Sequence, residues 1–351
     1  MQSVSFQLNA KASPQDDRDY LVKVSSSSST RSVDLSNTCT SIKNQGPLGS
    51  CTAFAGVALI EQFLRFNGVS VPDDMLSELF LYYNTRVLVE KSAPNDDSGA
   101  YLRSVMTALQ KYGVCLEGQC PYVVGRFSEQ PTPLAYTAGL RYQAVKYASI
   151  PTQQATVALQ TMKRVLASGQ SVVGGILLYN NYESASRGMI PAPTSQSVPV
   201  GGHAVLFVGY DDDRQVFKFK NSWGVGWGDR GYGYLPYQYL VTGNMFDLWT
   251  LTAQENNNAV VNQRVIAVPP AVRQASLRTV TSLLLQRISS ELSELLQQGS
   301  LIPSQPTMER VTAMIPEEHR LVMVDTDIQR LVMHLQTVWI AMRQLQNTLR
   351  M

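Results

Sequence analysis

The chain has 351 residues, 44% of them hydrophobic, with 29 basic against 27 acidic side chains. That apolar share is enough for a buried core and excludes bulk disorder. The near-neutral balance, without a Lys/Arg-dense run, gives no electrostatic footprint for nucleic acid. No apolar stretch approaches the roughly 18 residues of a membrane span. The N-terminus has neither a basic nor an apolar leader region, and four cysteines are too few for a disulfide framework. These features predict a soluble, intracellular (cytoplasmic) protein without a recognisable secretory signal.

Residues 1–33 are polar and run into Ser25–Ser29 and Thr30, which reads as a flexible or surface-laid arm. The spacing of Phe54, Val57, Ala58 and Leu64 predicts a helix over 51–66, with Ser50 as N-cap and Gly68 past its end. Further helices are expected at 75–88, at 101–112 before Gly113, and at 155–167 before Gly169. The pattern then changes. Residues 171–179, 204–210, 215–221 and 232–235 are rich in Val, Ile, Phe and Tyr and read as strands, with Asp211–Arg214 as a hairpin turn. Helices first and strands later is an α+β order. A break follows near Gln254, with Asn256–Asn258 and Pro269-Pro270 marking a linker over 255–270.

Chemistry concentrates at three places. Cys51 follows the Gly-rich stretch Gln45-Gly46-Pro47-Leu48-Gly49-Ser50 and opens the first predicted helix. A helix N-terminus favours a thiolate, the nucleophilic form of cysteine, and is expected to hold its pKa below the usual ~8.5. Gln45 is a candidate amide donor to the oxygen of an attacked carbonyl. His203, in Gly201-Gly202-His203-Ala204, is the one histidine in the predicted strands and the candidate base. The hairpin at Asp211–Arg214 returns Asn221 beside it, where an amide oxygen can accept the imidazole N–H and Trp223 can shield the bond.

Gln45…Cys51, Gly202-His203-Ala204-Val205 and the run Asn221 to Tyr232 together resemble the three signatures of the papain-like cysteine peptidases, in the family's order. The resemblance covers about residues 34–254. It implies a two-subdomain α+β fold, helical in its left half and antiparallel and barrel-like in its right, with a cleft between them. It implies Cys51 as nucleophile, His203 as base and acid, Asn221 as orienter and Gln45 as oxyanion donor. Substrate backbone is expected along Ser98-Gly99 and Gly202. No metal or organic cofactor is implied, and the partner is a peptide or protein substrate. Leu48 stands where secreted members usually carry a cysteine, and one glycine of the pair at Ser98-Gly99 is lost. The chain is similar to the bacterial and large-DNA-virus branch. The first 30 residues are too short for the family's long helical propeptide, although an extended arm can still lie across the cleft. The run Gly226 to Gly231 fits a G-x-G-x-x-G pattern but precedes a strand, not a helix, so it is not read as a nucleotide site.

Residues 271–351 are read as a helical hairpin or small bundle. Leu321, Val324, Ile328, Leu331, Leu335, Val338, Met342, Leu345 and Leu349 keep a heptad seam. Such a surface suggests self-association or docking through the C-terminal helices. That motivates a second reading, a papain-fold structural or docking component of a viral particle (virion) or other assembly.

Overall fold

The computed structural model describes residues 7–252 except 15, 17–18, 23–29, 70, 72–75, 144–145 and 183–184. The linker, helical extension and coiled-coil seam expected at 255–351 lie outside the described residues. The chain divides into two units, residues 1–131 with 139–263, and residues 132–138 with 264–351. Of the second, only 132–138 are described. They form most of the short helix α4 (Pro133–Gly139), in which the Tyr136 N–H meets the Thr132 carbonyl at 3.2 Å. Every other described element belongs to the first unit.

Helix α1 runs Cys51–Phe66, as its spacing predicts, and residues 51–64 are all buried. A helix buried on every side is a central one. It packs against α2 (Glu78–Tyr83) and α3 (Leu102–Lys111) on one side and strand β4 (Pro199–Asp211) on the other. Gly56 permits this closeness, because a Cβ there would run into Val105 and Leu81. The helix ends where Asn67 and Gly68 take its last carbonyls, Gly68 at φ +77°.

The helix expected at 75–88 starts later. Leu76 pairs with Leu116 as an isolated bridge, and the Ser77 Oγ accepts the Phe80 N–H at 3.1 Å as a true N-cap. From Asn84 to Val89 the coil widens to a π-helical turn. That turn carries Arg86, which is fully buried. Its guanidinium donates to the carbonyls of Pro94 (3.3 Å), Asp96 and Phe127 (2.9 Å) and lies over the rings of Tyr82 and Phe127. Arg86→Met should therefore lower stability by about 3 kcal/mol or more, because buried carbonyls lose their donors. Urea denaturation of the two forms checks this, and a change below ~1 kcal/mol would contradict the role given to those bonds.

Seven strands form one sheet among the described residues. Its order is β2 (Tyr147–Ile150), β7 (Met245–Leu251), β3 (Val172–Tyr179), β4, β5 (Val216–Lys220) and β6 (Tyr232–Pro236), with β1 (Ser32–Asp34) also on β4. Every pairing is antiparallel. The β4–β5 hairpin closes on an Asx turn, in which the Asp211 Oδ1 accepts the N–H of Asp213 (3.0 Å) and of Arg214 (3.1 Å). Helices α5 (Ala155–Ala167) and α6 (Gln238–Val241) pack with the sheet around Phe207, Phe217, Phe219, Leu235 and Leu248. No helix among the described residues is long and apolar enough to cross a membrane.

A buried ionic cluster ties the helices to the sheet. The Lys43 ammonium meets the carboxylates of Glu78 (2.7 Å) and Glu61 (3.8 Å), while Lys220 donates to Thr40, which donates to Glu61. Burial lifts the Glu78 pKa to about 7 despite Lys43.

Candidate active site

Cys51 is the first residue of α1 and has no solvent exposure. The loop before it is fixed by the rest of the fold. The Gly49 N–H donates to the Asp97 carboxylate at 3.0–3.1 Å, and the Tyr82 hydroxyl bonds the same group. Ser50 stands at the N-cap position but does not cap the helix. Its hydroxyl bonds the Tyr122 hydroxyl at 2.6 Å, and Tyr122 in turn donates to the Gln45 carbonyl at 2.8 Å.

His203 lies inside β4, not at its start, because the strand begins at Pro199. The ring is 1% exposed. Its Nε2 lies 2.7 Å from the Asn221 Oδ1. That oxygen also accepts the Ser222 N–H at 2.9 Å. A backbone N–H can only donate, so the amide orientation is determined and the imidazole proton sits on Nε2. Nδ1 is left as the bare nitrogen, and it has no hydrogen-bond partner among the described residues. Trp223 stacks on the ring at 4.5 Å and 25°, with Trp227 edge-on against it at 5.2 Å. Trp223 thus packs on the face of the imidazole, and Trp227 packs on Trp223. Helix α1, which Cys51 opens, packs against β4, which carries His203, so the fold brings these two elements together.

Gln45 is fully buried. Its Nε2 donates to the Leu48 carbonyl at 3.0 Å, and its Oε1 accepts the Ser222 hydroxyl at 2.6 Å. These bonds fix the amide with its nitrogen on the side of the Gly-rich loop. The second Nε2–H and the backbone N–H of Cys51 remain as donors, since the N–H groups of Ala53 and Phe54 go to the Ser50 carbonyl. Ser222 and Tyr122 were not singled out from sequence. Ser222 sits inside the Asn221-Ser222-Trp223 motif, which was the available signal. Tyr122 follows Cys120-Pro121 with no local mark of its purpose.

The expected low thiol pKa is not found in this arrangement. Burial pushes Cys51 up to about 11, although the N–H groups of Ala204, Thr52, Asn9 and Ala10 pull the other way. Desolvation of the whole thiol outweighs the helix start. Burial likewise lowers His203 to about 4, opposed by its bond to Asn221. Burial thus disfavours the charged form of both groups.

This has a stability consequence. The folded value of His203 lies below its ordinary 6.5, so the unfolded chain takes up that proton first as the pH falls. The contribution is intact above about pH 6.5 and is lost on descending to about pH 4, a difference of roughly 3 kcal/mol. Glu78, raised from 4.5 to about 7, works in the opposite sense and loses its contribution as the pH rises through that window. The stability difference between wild type and His203→Gln should accordingly shrink as the pH falls from 7 to 4. A pH-independent difference would rule out a buried neutral ring.

Gly99 (φ +67°) and Gly202 both lie against the N-terminal arm. A Cβ at Gly99 would strike the backbone and Cβ of Asn9, and one at Gly202 would strike the Ala10 carbonyl. The described residues of the N-terminal arm therefore occupy the two positions expected to take substrate backbone. Ser98 stands beside them, its hydroxyl directed to the Gly99 carbonyl at 3.4 Å. No group of three or more His, Cys, Asp or Glu among the described residues is placed to hold a metal ion.

Comparison with known proteins agrees with this geometry. Residues 26–243 match the model of the papain family cysteine proteases. The chain is 35% identical over 226 residues to an uncharacterised peptidase C1-like protein of Acanthamoeba polyphaga mimivirus, covering 62% of this chain and 71% of that one. It is 27% identical over 238 residues to ananain of Ananas comosus, covering 65% of this chain and 61% of that one. Among solved structures it resembles xylellain, a cysteine protease from Xylella fastidiosa, with a TM-score of 0.63 and 31% identity, over 71% of this chain and 96% of that one. On the family match over residues 26–243 and the 35% identity to the mimivirus protein, the chain belongs to the papain family of cysteine proteases.

Proposed function

We propose that the chain is a thiol endopeptidase that hydrolyses peptide bonds through Cys51, His203, Asn221 and Gln45. His203 Nδ1 takes the Cys51 proton as sulfur attacks the substrate carbonyl. Gln45 Nε2 and the Cys51 N–H hold the resulting oxyanion. The imidazolium, kept in register by Asn221, then protonates the leaving amine. Water activated by the same nitrogen releases the acyl group. Gly99 and Gly202 offer backbone to the substrate on either side, and Trp223 keeps water from the histidine–asparagine bond. No cofactor enters this scheme.

The observation that supports the reading is the 2.7 Å Nε2–H···Oδ1 bond, which leaves Nδ1 bare on a strand that packs against the helix bearing Cys51. Labelling with a peptidyl epoxide and peptide mapping tests it. The adduct is expected on Cys51 and absent in Cys51→Ala. An adduct confined to Cys39, Cys115 or Cys120 would sink the proposal. An acyltransferase would share the acyl-enzyme, so partition of that intermediate between water and an added amine separates the two. The docking reading rests on residues 255–351, and none of the described residues favours it over hydrolysis.

A further inference from the structure

The peptide between Gln45 and Gly46 lies where local sequence leaves the backbone free to turn. Gly46 stands in the left-handed region at φ +59°, and a Cβ there would meet nothing within 4 Å. Packing does not hold this peptide plane, and next to a glycine its orientation changes at little cost. Two hydrogen bonds hold it instead. The Gly46 N–H donates to the Asn44 Oδ1 at 2.9 Å, and the Gln45 carbonyl accepts the Tyr122 hydroxyl at 2.8 Å. A turn of the plane would break both. It would also move the Leu48 carbonyl, two residues further along the loop, which accepts from the Gln45 Nε2.

The direction of the protons follows from valence. A tyrosine hydroxyl has one hydrogen, and a carbonyl can only accept, so that hydrogen goes to Gln45. The 2.6 Å bond between Tyr122 and Ser50 is then donated by the Ser50 hydroxyl. The three groups form a relay, Ser50 to Tyr122 to Gln45, in which each bond polarises the next. The relay also explains why Ser50, at the N-cap position of α1, makes no side-chain cap: its hydroxyl is turned to the phenol. Tyr122 is itself firmly placed. Its N–H donates to the Glu117 carboxylate at 2.6 Å, and its ring lies edge-on to Phe54 of α1 at 4.9 Å. Ser77 fastens the loop that leads to it, giving its N–H to the Cys115 carbonyl (3.0 Å) and its hydroxyl to the Cys120 carbonyl (2.5 Å). Burial raises the phenol pKa, so the hydroxyl stays a donor at neutral pH.

We propose that Tyr122 is a positioning residue of the oxyanion site: its hydroxyl, oriented by Ser50, locks the Gln45–Gly46 peptide and with it the amide that receives the oxyanion. The inference rests on the reading of Gln45 as the oxyanion donor.

The test uses the full chain and Tyr122→Phe, which keeps the ring and its contact with Phe54. Two readouts are taken, single-turnover acylation of Cys51 by a p-nitrophenyl ester, and kcat and KM on a fluorogenic peptide. Acylation and kcat should both fall about tenfold, the equivalent of ~1.4 kcal/mol, with KM changed less than about twofold. In the Gln45→Ala chain the same substitution should slow acylation less than about twofold, because the group it positions is gone. A merely structural role would act alike in both backgrounds. An equal loss in the two backgrounds, a raised KM at unchanged kcat, or no change at all would overturn the proposal while leaving the peptidase reading in place. If Tyr122→Phe slows acylation but no form, wild type included, hydrolyses peptide, the role of Tyr122 stands and the peptidase reading fails. A wild type that the ester does not acylate sinks both. Should Tyr122→Phe not fold, Ser50→Ala carries the same comparison: it removes the donor that orients the phenol and should slow acylation about threefold, again only where Gln45 is present.

Discussion

Replacing Cys51 with alanine should reduce kcat/KM for a fluorogenic peptide by at least about 10⁴-fold, to the level of the uncatalysed background. Loss of one sulfur from the first turn of α1 removes little volume, so urea denaturation should change by no more than about 1 kcal/mol. His203→Ala should cost as much in rate, because sulfur and imidazole act as one unit and either deletion leaves no proton transfer. Asn221→Ala should be milder, about 10–100-fold, since the base remains and only its orientation is lost. Turnover surviving in purified Cys51→Ala would end the thiol-peptidase reading.

Gln45→Ala should lower kcat by roughly 10²–10³-fold with KM little changed, the signature of a donor that acts in the transition state. Two features make this side chain suited to the task. It is fully buried, so its dipole acts in a low-dielectric setting, and it is held at both ends by Leu48 and Ser222. A donor that needs no reorganisation stabilises charge at the moment it develops. Ser222→Ala should reproduce part of the loss, because the amide then loses the partner that holds Oε1. Rates are read from single-turnover acylation, which isolates the step where the oxyanion forms. A Gln45→Ala enzyme that raised KM at unchanged kcat would assign the residue to substrate binding instead.

Local sequence alone determined α1, α3, α5 and the β4–β5 hairpin, because each is closed by residues whose backbone preferences act locally. Gly68, Gly113 and Gly169 all adopt positive φ at helix ends, and Asp211 makes its own turn. The order of Gln45, Cys51, His203 and Asn221 was equally legible, since the chemistry of each needs a particular residue type in a particular element. What only the tertiary structure decided depends on contacts between distant segments. Met245–Leu251 is a short apolar run that periodicity cannot assign, and it becomes a strand because β2 and β3 flank it. Pro199–Gly202 joins β4 because β3 pairs with it, although proline and glycine disfavour strands. The orientation of Gln45 is set by Ser222, 177 residues away. The ionisation of Cys51 depends on both kinds of information: a helix start lowers a thiol pKa by a local field, whereas the desolvation that raises it depends on everything packed around it. That an extended arm can lie across the cleft was legible, but not which residues do so, because residues 8–13 are held by backbone groups of Gly202, Ala100 and Asp97 and by the Asp247 carboxylate, all from distant segments.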